Sequence, residues 1–388
     1  MPHGHPLYAS MGTTIFEHMS ALARETGAIN LGQGFPDQQG SPELIEAAVR
    51  ALRDKSNQYP PSTGLPELRD AIAAFYARHQ RLELSREQVI VTSGATEAIA
   101  ATVFALIEPG DEVILFEPAY DAYAPLVRRA GGVPVFVTLR GPHWRYRRED
   151  IVAVITSRTR AIIVNDPLNP LGSVASPAEL AMLAGLCVDH DLIAICDEVW
   201  EDVRFDGAVH RSLLALAEMA GRAVKIGSAG KIFGLTGWKV GWVCASAELA
   251  RLIGRAHQFL TFTTPPALQW AVAEGLMLPA EWFAQRSATW AASRERLSGG
   301  LMAAGFAVLP NAATWFVCAD LAATGIALGD RDFAERVARE GGVAAIPISA
   351  LFEGADAPTN FVRFCFTKAD TQLDLAVERL ASFREKLG

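Results

Sequence analysis

Ser228-Ala229-Gly230-Lys231, followed by Thr236-Gly237-Trp238-Lys239-Val240-Gly241-Trp242, sets a lysine among small residues directly after the run Ala223-Val224-Lys225-Ile226-Gly227. The run reads as a strand, and the small neighbours leave room for a bulky planar group on the amine of Lys231. Such a lysine can be a nucleophile, since its amine forms Schiff bases with carbonyl compounds and burial lowers its pKa toward the reactive neutral form. Taken alone, a Gly230-Lys231 pair reads as a surface-loop lysine. A phosphate-binding P-loop is excluded, because Lys225 stands where its first glycine is required and Ile232 follows the lysine where Ser or Thr is required.

Four other segments place polar residues where apolar runs end. Val89-Ile90-Val91-Thr92-Ser93 leads into Gly94-Ala95-Thr96-Glu97-Ala98, and an Ala-rich helical pattern then runs to Leu106. Ala161-Ile162-Ile163-Val164 leads into Asn165-Asp166-Pro167-Leu168-Asn169-Pro170-Leu171-Gly172, and Leu192-Ile193-Ala194-Ile195-Cys196 ends at Asp197-Glu198-Val199-Trp200. Tyr59-Pro60-Pro61-Ser62-Thr63-Gly64 precedes a helix that starts near Pro66. Short apolar strands near 89, 113, 134, 161, 192, 224 and 241 alternate with helical patterns, the signature of an α/β layer around a largely parallel sheet. Most of these strands lack polar alternation, which predicts burial on both faces.

In this order the segments resemble the fold-type I pyridoxal 5'-phosphate (PLP) enzymes, in particular class I aminotransferases of the kynurenine/glutamine and methionine type. The resemblance covers nearly the whole chain, from Ile29-Asn30-Leu31-Gly32-Gln33-Gly34-Phe35-Pro36-Asp37 to Ala345-Ile346-Pro347-Ile348-Ser349 and Asn360-Phe361-Val362-Arg363-Phe364-Cys365-Phe366. It implies a large domain with a mostly parallel seven-stranded sheet, its one antiparallel strand at Gly241 to Ala245, and a small α+β domain built from both chain ends. The boundaries are placed at 45–280 for the large PLP-binding domain and at 1–44 with 281–388 for the small one.

The resemblance also assigns roles. Lys231 would anchor the cofactor's aldehyde and then serve as the base acting at the substrate's α-carbon. Asp197, at the end of a buried strand, would pair with the pyridine nitrogen, and Asn169 would donate to the ring's O3' oxygen. Phosphate would be held by the amides of Ala95 and Thr96 at a helix N-terminus, by Ser228, and by Lys239, which stands where many relatives carry Arg. Tyr120 would stack on the ring, and Tyr59 would reach the phosphate of a neighbouring subunit, so a homodimer with its active site at the interface is expected. Arg363 would clamp the substrate α-carboxylate by a two-pronged salt bridge. An unpaired buried arginine is costly, which itself argues for a bound anion there.

Gly34, Phe16 and Phe262, with Thr96 and Tyr120, fall at substrate-pocket positions and favour a neutral or aromatic side chain. One departure stands out: Trp200 occupies a position where the family usually carries a Tyr bonded to O3', and an indole N–H can donate but not accept. Glu198 is read as packing or loop hydrogen bonding.

Function is thus expected to be exchange of an amino group between a neutral or aromatic L-amino acid (methionine, glutamine, kynurenine, or the Phe/Tyr type) and a 2-oxo acid, in ping-pong fashion. A PLP-dependent cysteine-S-conjugate β-lyase on the same scaffold is the alternative, followed by a non-catalytic PLP-binding protein. In 388 residues with a net charge of −8 there is no dense basic stripe, which argues against nucleic acid as a partner. Five cysteines without a C-x-x-C pair read as free thiols of a reducing compartment, and no apolar window is long enough to span a bilayer, so a cytoplasmic location is expected. His3 and His5 lack the companions of a metal site, and no metal is expected.

Overall fold

The computed structural model describes residues 4–37, 40–141, 143–354 and 356–387, so His3 lies outside the described residues. Thirteen strands follow in chain order: β1 (Ile29–Asn30), β2 (Val89–Thr92), β3 (Glu112–Glu117), β4 (Val133–Thr138), β5 (Thr159–Asn165), β6 (Ile193–Asp197), β7 (Ala223–Ser228), β8 (Gly241–Cys244), β9 (Ala307–Val308), β10 (Phe316–Asp320), β11 (Val343–Ala344), β12 (Ile346–Pro347) and β13 (Phe361–Cys365). Seven of them form one sheet in the order β2-β8-β7-β6-β5-β3-β4. Only β8 runs antiparallel to its neighbours, as expected for the strand beginning at Gly241.

Successive residues along these strands alternate between two apolar cores. Ile90, Leu115, Ile163, Ile195 and Val243 enter one, while Val91, Ile114, Ile162, Ala194 and Trp242 enter the other. Both faces are covered by helices, which is why the sequence shows runs rather than alternation. β4 is the exception: it lies at the sheet edge, Val133 is exposed, and Pro134 sits where a missing N–H costs no ladder bond on the outer side.

Both chain ends contribute to a second unit. β1 pairs in parallel with β11, and β12-β13-β10-β9 form an antiparallel sheet. Helix Ile15–Thr26 is closed by Gly27 in the left-handed conformation and packs against helix Asp330–Glu340. Helix Pro42–Asp54, which contains residue 45, packs against helix Pro266–Leu276, and residue 280 opens helix Ala280–Ala303.

The topology gathers chemistry at one edge. Asn165 pairs in register with Asp197, and Asp197 with Ile226, so the carboxyl ends of β5, β6 and β7 lie side by side. Ser228 and Thr92 both face Gly241. A Cβ on Gly241 would come 2.7 Å from the backbone carbon of Gly94, so only glycine lets β8 approach the turn that opens helix Ala95–Leu106. Crevices at the carboxyl ends of parallel strands are the usual ligand sites of such sheets.

Candidate active site

A cavity of ≈ 220 Å³ opens at that edge. It is lined by Ala95, Thr96, Tyr120, Asn169, Asp197, Trp200, Ser228, Lys231 and Lys239, nine of the residues expected from sequence. Asn165, Val199 and Thr236 complete much of the wall.

Lys231 projects from the short helix Ala229–Ile232 that follows β7. Its Nζ lies 4.6 Å from the ring centroid of Trp200 and 5.0 Å from that of Trp315. Burial lowers its pKa to about 8, with Arg363 and Lys239 pushing the same way and Cys365 and Asp197 opposing. The amine is therefore partly neutral near neutral pH, as a nucleophile requires. Asp197 ends β6 with its carboxylate raised above the usual range by burial, against the hydrogen bonds that favour its charge. The Tyr123 hydroxyl donates to Asp197 Oδ2 at 2.5 Å. Asn165 Nδ2 donates to the Asp197 carbonyl at 2.9 Å, while its Oδ1 accepts from the Asn169 amide at 2.8 Å. Tyr123 and Asn165 were missed by sequence reasoning; the Tyr120-x-x-Tyr123 spacing was the available signal for the first.

At the other end, Gly94 adopts φ +80° and no side chain caps helix Ala95–Leu106, leaving its first amides aimed at the cavity. A Cβ on Gly94 would meet Lys239 Nζ at 3.2 Å, so a cation lies over this turn. The first-turn acid Glu97 does not compete, because it accepts instead from the Ser93 amide at 3.0 Å and contacts His257 Nδ1 at 2.9 Å. Tyr120 OH sits 3.4 Å from Thr96 Oγ1.

Arg363, Phe16 and Gly34 form a neighbouring group rather than part of the cavity lining. Arg363 is buried on β13, stacks 3.9 Å from the Phe316 centroid and 5.1 Å from that of Phe16, and donates to the Gly32 carbonyl at 2.6 Å. Its Nε has no partner, and among the described residues no carboxylate pairs with it. Burial brings its pKa down to about 10. Gly34 abuts the same Phe316 ring, where a Cβ would approach to 2.7 Å.

Two expected residues do not join the cavity of their own chain. Phe262, in the left-handed region at φ +65°, packs edge-on against Tyr59 at 5.3 Å. Tyr59 is 84 % exposed and Phe262 40 %, and neither lines the cavity. Within one chain the Phe262 ring packs on Tyr59 and lies outside the cavity lining.

Behind Asp197 lies a buried charge cluster, in which Glu198 makes the hydrogen bonds expected of it, to Ser212 and also to the charged groups of Lys225 and His210. Lys225 Nζ donates to the carboxylates of both Glu198 and Glu201. His210 bridges Asp166 and Glu198 at 2.8 Å on each side. Glu198, Glu201 and His210 have the proximity of a metal site, but the Lys225 ammonium already satisfies both glutamates. Burial alone would lower the His210 pKa, yet the two carboxylates raise it to about 9; burial would raise Glu198, yet Lys225 and His210 hold it at about 2. A raised histidine gives stability that is complete below its unfolded value near 6.5 and is lost as pH climbs through about 9. The lowered Glu198 gives stability present above 4.5 and lost as pH falls through about 2. Urea unfolding should accordingly show stability declining between about pH 6.5 and about pH 9.5, and His210→Gln should flatten that slope while lowering stability at pH 6.5. An unchanged slope in the variant would mean that His210 is neutral in the fold.

PLP fits this site on the structure's own features. Asn169 lines the cavity, an uncapped helix start and Lys239 offer an anion cradle, a buried carboxylate faces the cavity, and a lysine with lowered pKa projects into it. When bound, PLP supplies an aldehyde for amine exchange and an electron-withdrawing ring.

The sequence profile of the family "Aminotransferase class I and II" matches residues 26–380. The chain is 38 % identical to the methionine aminotransferase of Escherichia coli over 95 % of this chain and 96 % of that protein. With human kynurenine–oxoglutarate transaminase 1 the identity is 33 %, over 94 % of each. The solved N-succinyldiaminopimelate aminotransferase of Mycobacterium tuberculosis superposes with a TM-score of 0.94 at 43 % identity, covering 98 % of this chain and all of that one. Fold, site and these likenesses agree: the chain belongs to the class I and II aminotransferases and is a PLP-dependent transaminase of fold type I.

Proposed function

We propose that this transaminase takes a neutral or aromatic L-amino acid as donor and a 2-oxo acid as acceptor, alternately, at one site. The carrying observation is the charge inventory: among the described residues Lys231 and Lys239 are the only cations lining the cavity, and the buried Arg363 beside it has no carboxylate partner. With Lys239 assigned to phosphate and Arg363 to the α-carboxylate, the cavity lining of one chain offers no further cation for a side-chain carboxylate.

In this reading Lys231 would hold the cofactor's aldehyde, and its amine would be the base that moves the proton at the substrate α-carbon. Asp197, held by Tyr123 and the Asn165–Asn169 pair, keeps a proton on the ring nitrogen. Asn169 would donate to the ring oxygen, Tyr120 would cover the ring face, and Ser228 with the Ala95 and Thr96 amides would hold phosphate. Phe16 and Gly34 flank the substrate. Tyr59, exposed with Phe262, would be covered by a second copy and would complete that copy's phosphate site, making the protein a homodimer. The large unit at 45–280 and the small unit from both ends would close around the substrate. Five buried free thiols support a reducing, cytoplasmic setting.

The Mycobacterium tuberculosis relative raises a second reading, in which N-succinyldiaminopimelate is the amino donor. Product chromatography with methionine, glutamine, kynurenine, phenylalanine, aspartate and N-succinyldiaminopimelate, each against several 2-oxo acids, separates them. The proposal expects a neutral donor to give the highest kcat/KM; turnover confined to aspartate or to the succinylated substrate would overturn it. The relatives reported above are named for transamination, and nothing favours the carbon–sulfur lyase reading.

A further inference from the structure

Two lysines six residues apart in sequence meet opposite environments. Lys225 is fully buried between two carboxylates, which hold it charged, well above its ordinary pKa despite the burial. Lys231 has no carboxylate within ion-pair distance among the described residues; its Nζ lies instead over two indoles. These rings are set edge to face, 5.1 Å apart at 82°. We infer that Trp315 and Trp200 form a two-sided aromatic seat for the Lys231 amine, with Trp315 as a positioning residue that also favours the protonated amine when it is free of the cofactor. This rests on the reading of Lys231 as the cofactor's anchor.

A carboxylate in place of the indoles would fix the charge on Lys231 as it does on Lys225 and would remove the nucleophile. The face of an aromatic ring attracts a cation more weakly and from a defined direction, so the amine is oriented without being locked in one protonation state. Trp315 is completely buried, yet its Nε1 has no hydrogen-bond partner. Phenylalanine would avoid that unsatisfied N–H, and what the indole offers in exchange is the more strongly attractive ring face.

The seat is braced from behind. Trp290 packs edge-on against Trp315 at 5.4 Å, and Arg286, one turn earlier on helix Ala280–Ala303, stacks 4.6 Å from the Trp290 centroid. Arg286 donates both to the Ile232 carbonyl, next to Lys231, and to the Asp202 carboxylate, two residues after Trp200. One guanidinium thus ties the lysine's turn to the loop carrying the first indole. The charged or titratable groups acting on Lys231 are Asp197 from β6, Cys365 and Arg363 from β13, and Lys239 from the segment before β8. The two cations oppose a charge on Lys231, and the indole faces counter them without introducing an acid.

The test uses the full-length chain freed of PLP. Added PLP is captured at a series of pH values, the linkage is fixed with borohydride, and peptide mapping counts the label on Lys231. The capture rate follows the neutral amine, so its midpoint reports the Lys231 pKa. Trp315→Leu removes the ring but keeps the site dry; the proposal expects the midpoint to fall by about 0.5–1 pH unit, with Trp315→Phe between leucine and wild type. A midpoint that stays in place in the leucine variant, or rises, would show that Trp315 acts only by excluding water and would overturn the proposal. Should that variant fail to fold, 5-fluorotryptophan incorporated at all eight tryptophans weakens the ring faces at nearly constant shape. A downward shift is again expected, and an unmoved midpoint again overturns the seat. Label on a lysine other than Lys231 would instead overturn the underlying assignment of the anchor.

Discussion

Lys231→Ala is expected to lower kcat/KM roughly 10³-fold or more for every amino donor, because under the proposed roles one substitution removes both the nucleophile and the proton carrier. Cofactor binding should survive in reversible form. The uncapped start of helix Ala95–Leu106, Lys239 near Gly94, and Asp197 held by Tyr123 all lie on other segments and do not depend on the amine. Equilibrium dialysis of PLP alongside single-turnover rates would separate the two effects. Turnover within a few-fold of wild type would mean that another base does the work. Lys225 is a poor candidate, since Glu198 and Glu201 hold it protonated and it lies outside the cavity lining.

The second large effect is expected at Arg363. Arg363→Lys keeps the charge but loses the planar fork, and one amine cannot both reach the Gly32 carbonyl and hold a carboxylate by two parallel bonds. Losing one charge-assisted hydrogen bond is worth about 1.5–3 kcal/mol, so kcat/KM should fall roughly 10- to 100-fold. The fall should be similar for amino acids and 2-oxo acids, because both carry the same carboxylate. Single-turnover rates with each class measure this directly. A loss confined to one class would show that the two substrates use different anchors, and no loss would leave Arg363 as a stacked structural cation between Phe16 and Phe316.

Much of this architecture could be read from the chain itself. Most of the parallel strands are buried on both faces, so they appear as largely apolar runs, and the first polar residue after a run marks its carboxyl end. Asn165, Asp197 and Ser228 are such residues, and the sheet places those ends side by side. Lys231 and Lys239 follow within a few residues of one of them. Arg363 was legible because an arginine inside Phe361-Val362-Arg363-Phe364-Cys365 has no local reason to be there.

The contacts that escaped are those made between distant segments. Tyr123 donates to a carboxylate 74 positions away, and Trp315 reaches Lys231 from the bend just before β10, yet in sequence both are aromatic residues like any in the core. Lys225 sat inside an apolar run and gave no sign of the two glutamates that hold it. Phe262 packs against Tyr59 away from the cavity of its own chain, a contact between residues about two hundred positions apart that the sequence does not display.

Everything above turns on which amine carries the cofactor. Borohydride reduction of the PLP-loaded protein, followed by digestion and mass-spectrometric mapping of the pyridoxyl group, reads that out in one experiment. The account predicts the label on the peptide containing Ser228-Ala229-Gly230-Lys231. A label on Lys225 or Lys239, or no stable label on any lysine, would contradict it.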